Sequence, residues 1–198
     1  MAWDDLGRQA GEENKRDRDR YISVWIGALA VMLAICGMGG ANATKDATLK
    51  NIEASNMWGF FQAKNLRREM YRIEVDQLEV QIASIPTMPE AARFAIADKI
   101  KALKAKDADL TSNTTTNEGL DQLFPRAKAL EKERDAAMKR DPYFDYAQAL
   151  LQIAIVLASV AIISGGTVLL AVSGLLGLIG ALLTFNGFTL AFTVPFIG

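Results

Sequence analysis

The sequence predicts an all-α membrane protein, and three observations predict it. Three long runs, 21–41, 147–165 and 167–188, carry no charged residue. A charged middle of roughly a hundred residues, enough for one small domain, separates the first run from the other two. Within that middle, apolar residues recur at alternating steps of three and four, which is helical spacing. The expected architecture is one N-terminal transmembrane helix, a long extramembrane helical unit and a C-terminal two-helix transmembrane hairpin. The helical unit reads as a coiled-coil-like hairpin or as a three-helix domain.

The first run, "YISVWIGALAVMLAICGMGGA", covers the 20 or so apolar residues that a bilayer crossing needs. Tyr21 and Trp25 suit the headgroup interface at its start. A cleavable signal peptide competes with a retained anchor, helped by the small residues near Ala41. The charged segment before it and the length of its apolar core favour the anchor. Only Gly165 and Gly166 separate the last two runs, so they read as a tight transmembrane hairpin. Asp141 can cap a helix beginning at Pro142, and Tyr143, Phe144 and Tyr146 form an interfacial belt. Small residues mark where such helices approach: Gly174, Gly177 and Gly180 in the last run, Ala154 and Ala158 in the one before. The expected segments are thus 1–20 (charged), 21–41 (membrane helix), 42–142 (helical domain), 143–165 and 167–188 (membrane helices) and 189–198 (tail).

Lys15, Arg16, Arg18 and Arg20 precede the first run, and basic flanks tend to remain cytoplasmic. This places the N-terminus in the cytoplasm and the helical domain in the periplasm. Lys139 and Arg140 argue the other way, and the uncharged Gly165 turn favours neither.

In the middle segment, Leu49, Ile52, Asn56, Gly59, Ala63, Leu66, Met70, Ile73, Gln77 and Val80 trace a coiled-coil seam along a helix from about Thr44 to Ser84. Pro86 and Pro89 end that helix. Thr87 to Glu90 has capping-box spacing and opens a second helix, to about Asp109. After the polar loop "TSNTTTNEG", a third helix runs from about Glu118 to Lys139, with a candidate interruption at Pro125.

The run "EASNMWGFFQAK" puts Met57, Trp58 and Phe61 on the side of the first helix opposite the seam, with Phe60 on the flank. A helix with two apolar faces exceeds what one returning helix covers. Met57, Trp58, Phe60, Phe61, Gln62 and Lys64 are therefore the candidate interaction surface. A second copy of the chain is the economical occupant, with another membrane protein or the lipid bilayer as alternatives.

The chain contains no histidine and one cysteine, Cys36, inside the first apolar run. That removes the commonest general base and any disulfide within the chain. No phosphate-binding glycine loop is present, and basic residues interleave with acidic ones, against a nucleic-acid footprint. No catalytic, metal or cofactor residues are assigned, and an enzyme is not expected. The expected role is structural or interaction, by self-assembly. Its alternatives are an accessory subunit of a larger membrane complex, or a channel or transporter component lined by Ser159, Ser164, Ser173, Thr184 or Asn186.

The layout and the residues Ala54, Ser55, Trp58, Phe60, Phe61, Gln62, Ala63 and Lys64 resemble a bacterial membrane-protein family, domain of unknown function 4337. The resemblance implies one N-terminal span, a charged helical middle, a C-terminal pair of spans and residence in the inner membrane. It implies no catalytic role. Members often carry basic residues between the last two spans and histidine-rich N-termini. This chain has neither.

Overall fold

The computed structural model describes residues 2–195, with side chains from residue 15 onward. Parts of the expected terminal segments, namely residue 1, the side chains of 2–14 and residues 196–198, lie outside the described residues. Four helices follow in order: α1 (Ala2–Ser84), α2 (Glu90–Thr111), α3 (Leu120–Ser164) and α4 (Thr167–Thr189). No strand occurs among the described residues. Each of α1, α3 and α4 contains a stretch long and apolar enough to cross a membrane.

The chain divides into two compact units, one formed by Met1–Ala47 with Asp135–Gly198 and the other by Thr48–Arg134. In the first unit, α1 buries every seventh residue: Ile22, Leu29, Cys36 and Ala43. α3 answers with Tyr143, Phe144, Ala147, Leu151, Ala154, Ala158 and Ala161, at steps of three and four. Both spacings keep one face of a helix turned to its neighbours. α4 closes the unit with glycines. A Cβ added to Gly177 would stand 2.7 Å from Leu29, and one at Gly180 would stand 2.8 Å from Leu151, so neither position has room for a side chain. Gly174 differs, because a Cβ there would meet nothing within 4 Å.

Phe144 sits in a socket made by glycines. An added Cβ would lie 2.5 Å from its ring at Gly39 and 2.8 Å from it at Gly187, and Phe188 closes edge-on at 4.9 Å. Cys36 Sγ donates to the Phe144 carbonyl at 3.3 Å. Between α3 and α4 the chain reverses at Gly165, whose φ of +69° is left-handed and suits a residue without a Cβ.

Three expectations about helix ends and breaks are corrected. Asp141 does not cap a helix at Pro142, because α3 runs through both residues. Asp141 instead accepts a hydrogen bond from Thr44 Oγ1 at 2.8 Å. An interior proline costs a helix about 3 kcal/mol, and burial of the adjacent Tyr143 and Phe144 opposes that cost. Pro125 does not interrupt α3 either, lying close behind its first turn. Thr87 does not cap α2; the cap position is Pro89, with no side-chain hydrogen bond, and its carbonyl accepts from the amides of Ala92 and Arg93.

In the second unit, α2 and then the start of α3 return antiparallel along α1. Ion pairs mark the register: Glu79–Lys104 at 2.8 Å and Arg72–Asp107 at 2.9 Å to α2, then Lys64–Glu118 at 3.4 Å and Lys50–Glu133 at 2.9 Å to α3. Solvated pairs of this kind contribute little energy individually and serve mainly to fix alignment. The buried apolar residues of this unit are few: Ala54, Val75, Leu103, Leu120, Leu123 and Ala127.

Candidate interaction surface

The returning helices cover the opposite side of α1 from the one its seam spacing indicates. Ala54, Trp58, Phe61, Asn65, Arg68, Tyr71, Val75, Leu78 and Ile82 are among the buried or half-buried positions of α1 here, and they too follow steps of three and four. Trp58 and Phe61 meet edge-on at 5.5 Å, and both pack on Phe124 of α3, at 5.6 Å and 6.1 Å. Trp58 Nε1 donates to Glu131 at 2.9 Å. Aromatic rings offer far more area to cover than the mixed Asn, Gly and Ala positions at the centre of the seam, which accounts for the side chosen.

The expected surface is therefore split. Trp58 and Phe61 belong to contacts within the chain. Lys64 Nζ lies 4.8 Å over the Phe60 ring and donates to the Glu118 carbonyl at 2.5 Å. Gln62 is exposed, Met57 is half-buried and Phe60 is exposed. Met57 and Phe60 line a groove of about 580 Å³ together with Glu53, Asn56, Arg126 and Leu130.

Asn56 leads from that groove onto the seam, which lies open. Leu49, Ile52, Leu66, Met70, Ile73 and Val80 are between 47% and 66% exposed, and Asn56, Gly59, Ala63 and Gln77 between them are exposed as well. The result is one apolar stripe on α1 with polar residues at two of its ten positions. Isolated exposed apolar side chains are ordinary, but a contiguous stripe marks a contact surface.

Charge on the covered side is locally balanced. Lys128, at 2.7 Å, and then the Trp58 indole hold the Glu131 carboxyl below the usual glutamate range. Glu133 and then Glu53 raise Lys50, and Asp107 raises Arg72. No group of three or more metal-ligating side chains occurs among the described residues.

The small residues of the other unit pack within the chain. Gly177, Gly180, Ala154 and Ala158 face α1 or α3–α4 neighbours, whereas Gly174 opens onto a groove. Polar side chains named for a lumen are engaged locally. Ser173 Oγ donates to the Ala154 carbonyl at 2.7 Å and accepts from Trp25 Nε1 at 3.3 Å; Thr184 Oγ1 donates to the Gly180 carbonyl at 2.8 Å. Asn186 pairs through both amide atoms with the backbone of Phe192. Ser159 Oγ donates to the Ile155 carbonyl, and Ser164 Oγ accepts from the Gly166 amide.

Three relationships escaped the sequence reading: the glycine socket of Phe144, the partnership of Phe124 with Trp58, and Arg18 reaching the Gly165 carbonyl at 3.2 Å. The paired Gly39-Gly40 inside an apolar run was the available signal for the first. The other two join residues far apart in the chain and carry no local signature.

One family model matches the chain, over residues 18–190, and its description is Domain of unknown function (DUF4337). No curated protein and no solved structure matches. With the three apolar stretches and the charged helical middle segment lying inside the matched region, the chain belongs to the DUF4337 family.

Proposed function

We propose that this chain is an integral membrane protein of structural or interaction type that self-assembles through the open stripe of α1. Three uncharged helical stretches support residence in a bilayer, and a bacterial inner membrane is the one we propose. The observation that carries self-assembly is the stripe from Leu49 to Val80, left exposed beside a unit with only small or few buried apolar side chains. Such a unit gains the burial it lacks by pairing.

A second copy suits this stripe better than an unrelated chain does. Asn56 and Gln77 hold the same position in the heptad, so like faces like in a parallel, in-register pairing. Both polar groups then find a hydrogen-bonding partner, and a shifted register buries each against an apolar residue. The proposed topology keeps the basic N-terminus cytoplasmic and Thr48–Arg134 periplasmic. Arg18 supports it by bringing positive charge to the uncharged turn at Gly165. The engagement of Ser173 with the Ala154 carbonyl and Trp25, of Thr184 with the Gly180 carbonyl and of Asn186 with the Phe192 backbone weighs against the channel alternative.

The test is particle mass of the full-length protein in native-lipid discs, together with single cysteines at Leu66 or Ile73 in a Cys36→Ala background. The reading expects a dimer or larger species and cross-links at both sites. A lone chain by mass overturns self-assembly, and co-purification of a different membrane chain on this stripe identifies an accessory subunit instead.

A further inference from the structure

A groove of about 410 Å³ opens on the first unit between the start of the apolar stretch of α1 and α4, lined by Arg18, Tyr21, Ile22, Trp25, Leu170 and Gly174. Its wall is apolar except at one end, where Arg18 stands. The Arg18 side chain is one-third exposed. Nη1 donates to the Gly165 carbonyl, and Nε and Nη2 donate to Asp19. Each terminal nitrogen carries two N–H bonds, so a donor on Nη1 and another on Nη2 remain for a further acceptor. A guanidinium fork of that kind fits two phosphate oxygens.

We propose that this groove binds one anionic glycerophospholipid, its phosphate on Arg18 and an acyl chain along Trp25, Leu170 and Gly174. Three features fix the occupant. The groove begins where uncharged sequence begins, at Tyr21, which is headgroup depth if α1 crosses the bilayer. Its floor at Gly174 is open, since a Cβ there would meet nothing within 4 Å, unlike Gly177 one turn further on, which Leu29 and Trp25 fill. Residues 15–20 carry four basic and two acidic side chains, so the headgroup end has net positive charge that favours an anionic lipid over a zwitterionic one. The inference rests on the membrane-spanning reading but not on self-assembly.

Native mass spectrometry of the full-length protein with added phosphatidylglycerol or phosphatidylethanolamine tests it. Wild type is expected to retain one phosphatidylglycerol with at least about fivefold preference. Gly174→Leu starts a side chain from a position where a Cβ meets nothing within 4 Å, and is expected to abolish that retention while leaving helix content and melting temperature unchanged. Arg18→Gln removes the headgroup contact and is expected to remove the preference, with Arg18→Lys restoring it only in part. Equal binding of both lipids by wild type, or undiminished retention in either folded Gly174→Leu or Arg18→Gln, overturns the proposal. Extraction of the chain from membranes by alkaline carbonate, measured separately, overturns the membrane reading itself.

Discussion

Trp58 on α1 donates its indole hydrogen to Glu131 on α3 at 2.9 Å, while Lys128 ion-pairs with the same carboxylate and lies 5.4 Å over the Trp58 ring. One residue of the aromatic run thus fixes the returning helix by a hydrogen bond, a cation–π contact and a ring contact with Phe124. Trp58→Ala is expected to destabilise Thr48–Arg134 by roughly 3 kcal/mol, the bottom of the aromatic-to-alanine range because the side chain is half-buried. Trp58→Phe keeps the ring contacts and should cost less. Denaturant unfolding of the two variants checks the order; equal losses would make the ring contacts irrelevant and leave the indole hydrogen bond as the whole effect.

The same pair yields a pH dependence. The Glu131 pKa is lowered in the folded chain, by Lys128 first and Trp58 second. Its contribution is therefore fully present above the unfolded value, near 4.3, and lost as pH falls through the lower folded value. The difference in melting temperature between wild type and Glu131→Gln should be constant above about pH 5.5 and shrink below about pH 4. A difference that grows on acidification would contradict the assignment.

The two sides of α1 separate folding from assembly. Leu66→Glu or Ile73→Glu falls on the open stripe and is expected to change folding stability by no more than about 0.5 kcal/mol, yet to abolish the dimer. Val75→Ala, on the covered side, is expected to cost about 2 kcal/mol. A cysteine at Asn56 or at Gln77, in a Cys36→Ala background, should form a disulfide with its own counterpart. Analytical ultracentrifugation and non-reducing gels read both effects. Dimers that persist in the two glutamate variants would exclude the stripe as the contact.

Much of the fold is legible in the sequence, because its signals are local. Absence of charge marks the apolar stretches of α1, α3 and α4, Gly165-Gly166 marks the turn, and Pro86 with Pro89 marks the end of α1. What was not legible is which of two apolar faces a returning helix takes. Spacing alone ranks Leu49–Val80 as the seam, since it follows the heptad strictly. The choice is made by Phe124, Leu120 and Leu123, some sixty residues away, whose bulk complements Trp58 and Phe61 rather than Gly59 and Ala63. Helix ends failed for a related reason. Asp141-Pro142 is a good start signal in isolation, but Tyr143 and Phe144 bury more by continuing the helix than a cap would gain.

Glycines in the first unit are not equivalent, and the Phe144 socket makes that measurable. Gly187→Ala sets a methyl 2.8 Å from the Phe144 ring and should cost about 1–3 kcal/mol through overpacking. Phe144→Leu in the same chain should recover part of it, which a double-mutant cycle measures. Gly174→Ala, facing open space, should be neutral. Similar losses at both positions would show that lipid contact, rather than the socket, governs these sites.

Asn186 and Tyr143 hold the segment after α4. Asn186 is fully buried; its Nδ2 donates to the Phe192 carbonyl at 2.8 Å and its Oδ1 accepts from the Phe192 amide at 3.1 Å. Tyr143 is also buried, and its hydroxyl accepts from the Val194 amide at 3.2 Å. Leu190, at φ 48°, ends α4 in the left-handed region and turns the chain toward these partners. Asn186→Leu preserves the volume and removes both bonds to Phe192. At about 0.6–1 kcal/mol for a hydrogen bond in a membrane setting, two bonds correspond to roughly tenfold faster hydrogen exchange at the Phe192 amide. Tyr143→Phe should accelerate Val194 more than Phe192, because the lost hydroxyl holds the Val194 amide directly but reaches Phe192 only at its carbonyl, at 3.5 Å, while the Phe192 amide stays on Asn186. Exchange that rises equally at both amides in both variants would mean that the segment detaches as one piece, and the two residues would then act as a single clamp.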